Sequence, residues 1–520
     1  MKNFKYLYIL LSLGLVLWSC DQALVDIPVD NDFTPVDPGD PPSAGTADFT
    51  KYVAVGSSLT AGFQANALFD DGQLNSMPNI LSQQFAQVGG GDFIQPIINS
   101  VNGFNSTDSD LSDPDPNNWV IKGRLLLVGS IPTATDSDLG AVPSPIVNPG
   151  FVYTGDPINN FGVHGILLGQ ALIPETGDWT LANIDPRFNP FYARFASNPG
   201  VSTIIGDAAT SGGTFFSLWL GTNDVLLHAV TGASGIAPFT SEGDFSLQFG
   251  AALTVMTTDP DIQGVVGNIP DVASVPFFTL VPWNSIPLDD LTAAAVNAAF
   301  QEYNDGLDVA LGLGLISAEE NAARKISFAG VADNAVLVED ESLTQNVDIS
   351  AFFSLPPGSV VLPNLRQTTA DDLLTLPAAA VLGTLADPNN PLSVIGVAVP
   401  LGDSFTLLAD ELAEVEARTD AFNTIIAGTI AGLGVGDRVA LADVNAAFND
   451  LVTGPQLQDG VAVAATLAPP AGVFSEDGAH PNSRGYAIAA NVFIEAINDK
   501  FGANVPRVNV AQFAGTALPQ

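Results

Sequence analysis

The sequence predicts an α/β fold, and three observations predict it. Short apolar runs of strand length lie at residues 51–56, 214–220, 262–268 and 437–443, each near a stretch with helical spacing. Two of these runs end abruptly in polar loops bearing glycine, as parallel strands do where they deliver side chains to a crevice. Alanine, leucine and long polar residues recur at helical spacing over 247–257, 289–311, 406–427 and 485–498. That alternation of strand and helix is the pattern of a parallel sheet covered on both faces.

The chain opens with the basic Met1-Lys2-Asn3-Phe4-Lys5, then a mainly apolar run that stops at Ser19-Cys20. Residues 1–19 are too short an apolar segment to span a membrane and read as a secretory signal. Leu17-Trp18-Ser19-Cys20 resembles a bacterial lipobox, which implies a lipoprotein signal peptide with Cys20 as the lipidated first residue of the mature chain. A diacylglyceryl and N-acyl cysteine supplies the several acyl chains that stable anchoring needs. The expected location is the bacterial cell envelope, facing outward, on the outer membrane. Cys20 is the only cysteine, so an internal disulfide and a cysteine metal cluster are both excluded.

Residues 20–47 are rich in Asp, Pro and Gly and read as a semi-extended tether. The chain carries 56 acidic residues against 15 lysines and arginines, a formal net charge of −41. Counterion release at phosphates needs cations this chain lacks, so nucleic acid is excluded as a partner, and membrane contact is expected through Cys20 only.

Residues 48–520 form the expected folded domain, and its chemistry starts at the first strand. The run Val53-Ala54-Val55 ends in Gly56-Ser57-Ser58, and far downstream stands Asp477-Gly478-Ala479-His480. A serine hydroxyl becomes a nucleophile only when a positioned imidazole takes its proton and a carboxylate holds that imidazole. Of the three histidines, His164, His228 and His480, only His480 has a carboxylate three residues before it. The run 214–220 leads directly into Gly221-Thr222-Asn223-Asp224, a second strand end suited to the same site.

In order along the chain, Gly56-Ser57-Ser58-Leu59, Gly162-Val163-His164-Gly165, Gly221-Thr222-Asn223-Asp224 and Asp477-Gly478-Ala479-His480 resemble the four blocks of the SGNH (GDSL) hydrolases. The resemblance implies a three-layer α/β/α, flavodoxin-like fold. It implies a carboxylic ester hydrolase of lipase or esterase type, with Ser58 as nucleophile, His480 as base and Asp477 as its carboxylate. Ser58 N–H, Gly165 N–H and the Asn223 side chain would form the oxyanion hole. No cofactor or metal is implied. The chain departs from the family at Ser57, where the family has aspartate; Ser58 is taken as the nucleophile because Leu59 follows it. The departure leaves one alternative, a catalytically inactive surface lipoprotein that binds glycan or lipid. Lipid esters and acetylated glycans both suit the expected site as substrates.

A literal Gly402-Asp403-Ser404-Phe405 lies after the Asn223 block, where the expected role of Asp403 and Ser404 is to cap the helix that follows. The blocks are separated by two large expected insertions, at about 63–157 and 313–401, whose apolar stretches, such as 351–357, are expected to pack as core, with a cap or acyl-binding wall as the alternative. The carboxylate-rich 108–115 lacks the glycine and terminal glutamate of a calcium loop and reads as a solvated loop. His164 is expected to line the pocket, His228 to pack at a helix start, and Asp224 to cap or pack, with orientation of Asn223 as the alternative.

Overall fold

The apolar runs become strands of one sheet. A computed structural model describes residues 41–110, 120–128, 131–139, 152–182 and 184–516. Its central strands are β1 (Tyr52–Gly56), β2 (Asn160–Gly162), β3 (Phe215–Trp219), β4 (Gln263–Gly267) and β5 (Val439–Ala442). All pair in parallel, in the order β5-β4-β3-β1-β2. The chain steps from β1 to one edge for β2, then returns past β1 to β3, so the strand order reverses between β1 and β3. A crevice opens beyond the carboxyl ends of strands at such a reversal.

Sequence periodicity locates β1, β3, β4 and β5 to within two residues at each end and misses β2. With only three residues, β2 is too short to show a period. Its first residue, Asn160, is buried because its side chain donates to Thr60 O and to Gln95.

Among the helices are α1 (Ser58–Ala61), α2 (Met77–Phe85), α3 (Ile204–Thr210), α4 (Asn223–Val230), α5 (Glu242–Met256), α6 (Asp290–Gly312), α7 (Ala409–Gly432), α8 (Val444–Val452) and α9 (Ser483–Phe501). Four of them, α2, α3, α5 and α9, cover the two faces of the sheet. On one face Tyr52 meets Phe85 of α2 at 5.0 Å, while Phe215 and Trp219 meet Phe501 and Phe493 of α9 at 5.6 and 5.5 Å. The other face is covered by α3 against β1, with α5 packed between α3 and α7. There the Phe245 and Phe422 rings stack at 3.8 Å.

Helix ends follow their caps. Ser241 Oγ accepts from Asp244 N–H, with Glu242 and Asp244 in the first turn, so α5 starts a turn earlier than its apolar spacing suggests. The helix expected from 406 starts at Ala409, because Thr406–Leu407 pairs as a strand with Leu373–Leu374. Its cap is not Asp403 or Ser404, as expected; Glu411 reaches back to accept from Leu408 N–H at 2.7 Å. Asn482 caps α9 by accepting from Gly485 N–H, and Gly502 closes it in the left-handed conformation.

The intervening regions differ in how they join the core. Within 63–157, α2 supplies Ile80, Leu81 and Phe85 to the main core, and an antiparallel sheet of Asn105–Asp110, Val120–Val128 and Ile131–Asp136 stands apart from the central one. The second region has an apolar core of its own, built from Ile286, Ile326, Phe328, Val336, Val338 and Leu374. That core begins before α6 and draws α6 into it through Ala293, so it is larger than 313–401. Phe352 and Phe353, expected to pack as core, are 57 % and 50 % exposed. The signal segment, Cys20 and the tether to residue 40 lie outside the described residues. Among the described residues no helix is long and apolar enough to cross a membrane.

Candidate active site

β1 delivers Ser58 into the crevice through a turn that only glycine permits. A Cβ on Gly56 would stand 2.0 Å from Thr60 Oγ1 and 2.6 Å from Trp219 O. Ser57 N–H then donates to Trp219 O of β3, while its hydroxyl is buried without a partner. Ser58 is the first residue of α1, where backbone N–H groups have no intrahelical acceptor. No acceptor for the Ser58 N–H exists among the described residues.

The loop before α9 brings the base to it. His480 Nε2 lies 3.0 Å from Ser58 Oγ, and His480 Nδ1 lies 3.0 Å from Asp477 Oδ2. An ionised carboxylate only accepts, so the ring proton belongs on Nδ1 and Nε2 faces the hydroxyl as an acceptor. Asp477 is held ionised: burial pushes its carboxyl up, but the His480 ring and hydrogen bonds outweigh that and bring it to about 2. Its partners are the N–H groups of Ala479 and His480 on Oδ1 and of Asn66 on Oδ2, at 2.8 to 2.9 Å. Ser475 fixes the loop itself, accepting from Ala65 N–H and donating to His480 O.

Around this chain stand two aromatic neighbours. The Phe63 ring lies 5.0 Å from His480 and stacks flat on His164 at 3.5 Å. Burial, then the nearby His480, pushes the His164 imidazole down from 6.5 to about 3, so it is neutral. Its ring is 6.0 Å from that of His480, and His164 Nδ1 is buried without a partner.

The expected oxyanion donors occupy the ends of β2 and β3. Gly165 has φ +77°, a conformation glycine adopts without cost, and no atom stands within 4 Å of where a side chain would start. Its N–H has no acceptor among the described residues. Asn223 Nδ2 donates one hydrogen to Ile166 O at 2.8 Å, which leaves the second hydrogen of the amide for a ligand. Asp224 is buried and holds the first N–H of the short helix Leu168–Leu172. It accepts from Leu168 N–H at 2.9 Å and Thr240 Oγ1 at 2.6 Å, and burial raises its carboxyl to about 6 despite those bonds. The start of α4 is thereby tied at two points to the segment carrying Gly165.

Ser58, Asn223 and His480 line one narrow cleft, partly open to solvent, with Trp219, Leu226, Val272, Val275, Val444, Phe448 and Val452 among its walls. Asp477 stands behind His480. Gly165 and His164 do not line this cleft and meet it through the Asn223–Ile166 bond and Phe63. His228 lies in the last turn of α4, not at a helix start, with Nδ1 2.9 Å from Ala237 O. Asp108 accepts from the side-chain amides of Asn105 and Asn66, while 111–115 lie outside the described residues.

Among the described residues, one set of acids is spaced closely enough to hold an ion: Glu341, Asp403 and Glu411, with oxygens within 4.8 Å of one another. Glu411 already caps α7, and burial, with acids around it, pushes it up to about 7. Two features of the site escaped the sequence. Asn66 carries no local signal for its bond to Asp477, whereas the cleft wall on α8 does show one, apolar residues four apart at Val444, Phe448 and Val452. No family model, curated protein or solved structure matches this chain.

Proposed function

We propose that this protein is a serine hydrolase of carboxylic esters, of the SGNH type. One observation carries the reading: the unbroken line from Asp477 Oδ2 through both nitrogens of His480 to Ser58 Oγ, with each contact at 3.0 Å. The strand order β2-β1-β3-β4-β5, that of flavodoxin-like sheets, supports the finer fold assignment, with Ser58 and Asn223 on either side of the reversal.

In this reading Ser58 Oγ attacks the ester carbonyl carbon as His480 Nε2 takes the hydroxyl proton, and Asp477 steadies the imidazolium. The oxyanion is held by the N–H groups of Ser58 and Gly165 and by the Asn223 amide. When the intermediate collapses, the alcohol leaves with the proton from His480. Water then attacks the acyl-enzyme by the same route, gives its proton to His480, and releases the acid and free Ser58. No step calls for a cofactor.

Fluorophosphonate labelling, read by intact mass, tests the assignment. The expected result is one adduct on the wild type, on Ser57→Ala and on Ser404→Ala, and none on Ser58→Ala. An adduct on Ser58→Ala would overturn the choice of nucleophile; a folded wild type that takes no adduct would make the protein a ligand-binding lipoprotein instead. The lipobox-like end supports an envelope lipoprotein, for which Cys20→Ser should move the protein from the membrane to the soluble fraction. Retention of that variant in the membrane would remove Cys20 as the anchor.

A further inference from the structure

The cleft beside Ser58 has far more apolar wall than ester hydrolysis itself needs. Val444, Phe448 and Val452 fall at successive turns of α8 and so form a single stripe. Eight residues of helix span about 12 Å. The stripe is graded in depth, with Val444 fully buried, Phe448 6 % exposed and Val452 46 % exposed, so it runs from the interior to solvent. Within the same cleft stand Val272 and Val275 from the segment after β4 and Leu226 from α4, the helix that also carries Asn223. An acetyl group would fill little of this cleft and leave its outer wall, with Leu226 and the 46 % exposed Val452, against water, which is unfavourable in proportion to the apolar area left wet. Asp271 is the only acid on the wall and disfavours a chain that ends in a carboxylate.

We propose that this cleft holds the hydrocarbon chain of the ester, making the enzyme selective for esters with a medium or long alkyl chain over acetates. The inference rests on the esterase reading and adds the substrate class to it. The chain could belong to the acyl group or to the alcohol, and burying it has the same chemistry either way. Each methylene that leaves water for the cleft should raise kcat/KM about fourfold until the wall is covered.

The test uses the full-length protein and two substrate series held below micelle-forming concentrations. One is the p-nitrophenyl esters from acetate to decanoate; the other is the alkyl acetates from ethyl to decyl. A rise along the first series supports the proposal with the acyl chain in the cleft, and a rise along the second supports it with the alcohol chain there. Val452→Trp, at the half-exposed mouth, should lower the ratio of long-chain to acetate kcat/KM at least tenfold in whichever series rises. Flat or falling series, on a protein that still takes a fluorophosphonate adduct at Ser58, would overturn the chain proposal and leave the esterase reading standing. No adduct and no turnover on a folded protein would overturn both.

Discussion

Gly56-Ser57-Ser58-Leu59 and Gly402-Asp403-Ser404-Phe405 are nearly the same letters in two different settings. The second keeps the aspartate that the first lacks, yet Ser404 is exposed in a short turn before a two-residue strand, with no histidine among its hydrogen-bond partners. Ser58 is 3 % exposed at the end of a buried strand, 3.0 Å from His480. A serine gains nucleophilic character from a base held in line with it, and holding that base takes a strand end, a second loop and a carboxylate from 419 residues away. The letters beside the serine do none of this.

Kinetics should divide the two segments by the widest margin available. Ser58→Ala should lower ester turnover by on the order of 10⁴- to 10⁶-fold, and Ser404→Ala should leave it within about twofold. Equal losses in the two variants would erase the distinction. Asn223→Ala should come next, with a loss of on the order of 10²- to 10³-fold in kcat, because it removes one donor and leaves the nucleophile in place. An unchanged kcat would take Asn223 out of the oxyanion hole.

A smaller effect separates the two neighbouring histidines. His164 is neutral in the folded protein down to about 3 but titrates at about 6.5 when unfolded. Between those values the unfolded state binds more protons, so stability falls as the pH drops through that window, by at most ~1.4 kcal/mol per pH unit. Asp224, raised from 3.8 to about 6, works in the opposite direction and is common to both proteins compared. Urea unfolding at pH 6.5 and 4.5 should therefore show His164→Phe losing less stability than the wild type, by up to ~2 to 3 kcal/mol. Identical losses would mean that His164 is charged in the folded state. Ser57→Ala should matter least, at under ~1 kcal/mol, because the hydroxyl it removes is buried and unpaired.

The sequence alone determined whatever local chemistry writes into neighbouring residues. Buried parallel strands read as continuous apolar runs, so β1, β3, β4 and β5 were visible. Asp289 and Asn482 mark helix starts because their side chains accept from N–H groups three residues on. Asp477 and His480 could be paired by their spacing. Tertiary structure decided what depends on contacts between distant segments. It made a strand of Asn160–Gly162, put Asn66 N–H on the Asp477 carboxylate, and tied Asn223 and Asp224 to Ile166 and Leu168. It also gave α6 to a second core and set the α8 stripe beside Ser58. A period marks the α8 stripe and a motif marks Asn223, but neither names its partner, because a hydrogen bond between segments is recorded in neither segment, and a cleft is recorded only in the space that several of them leave.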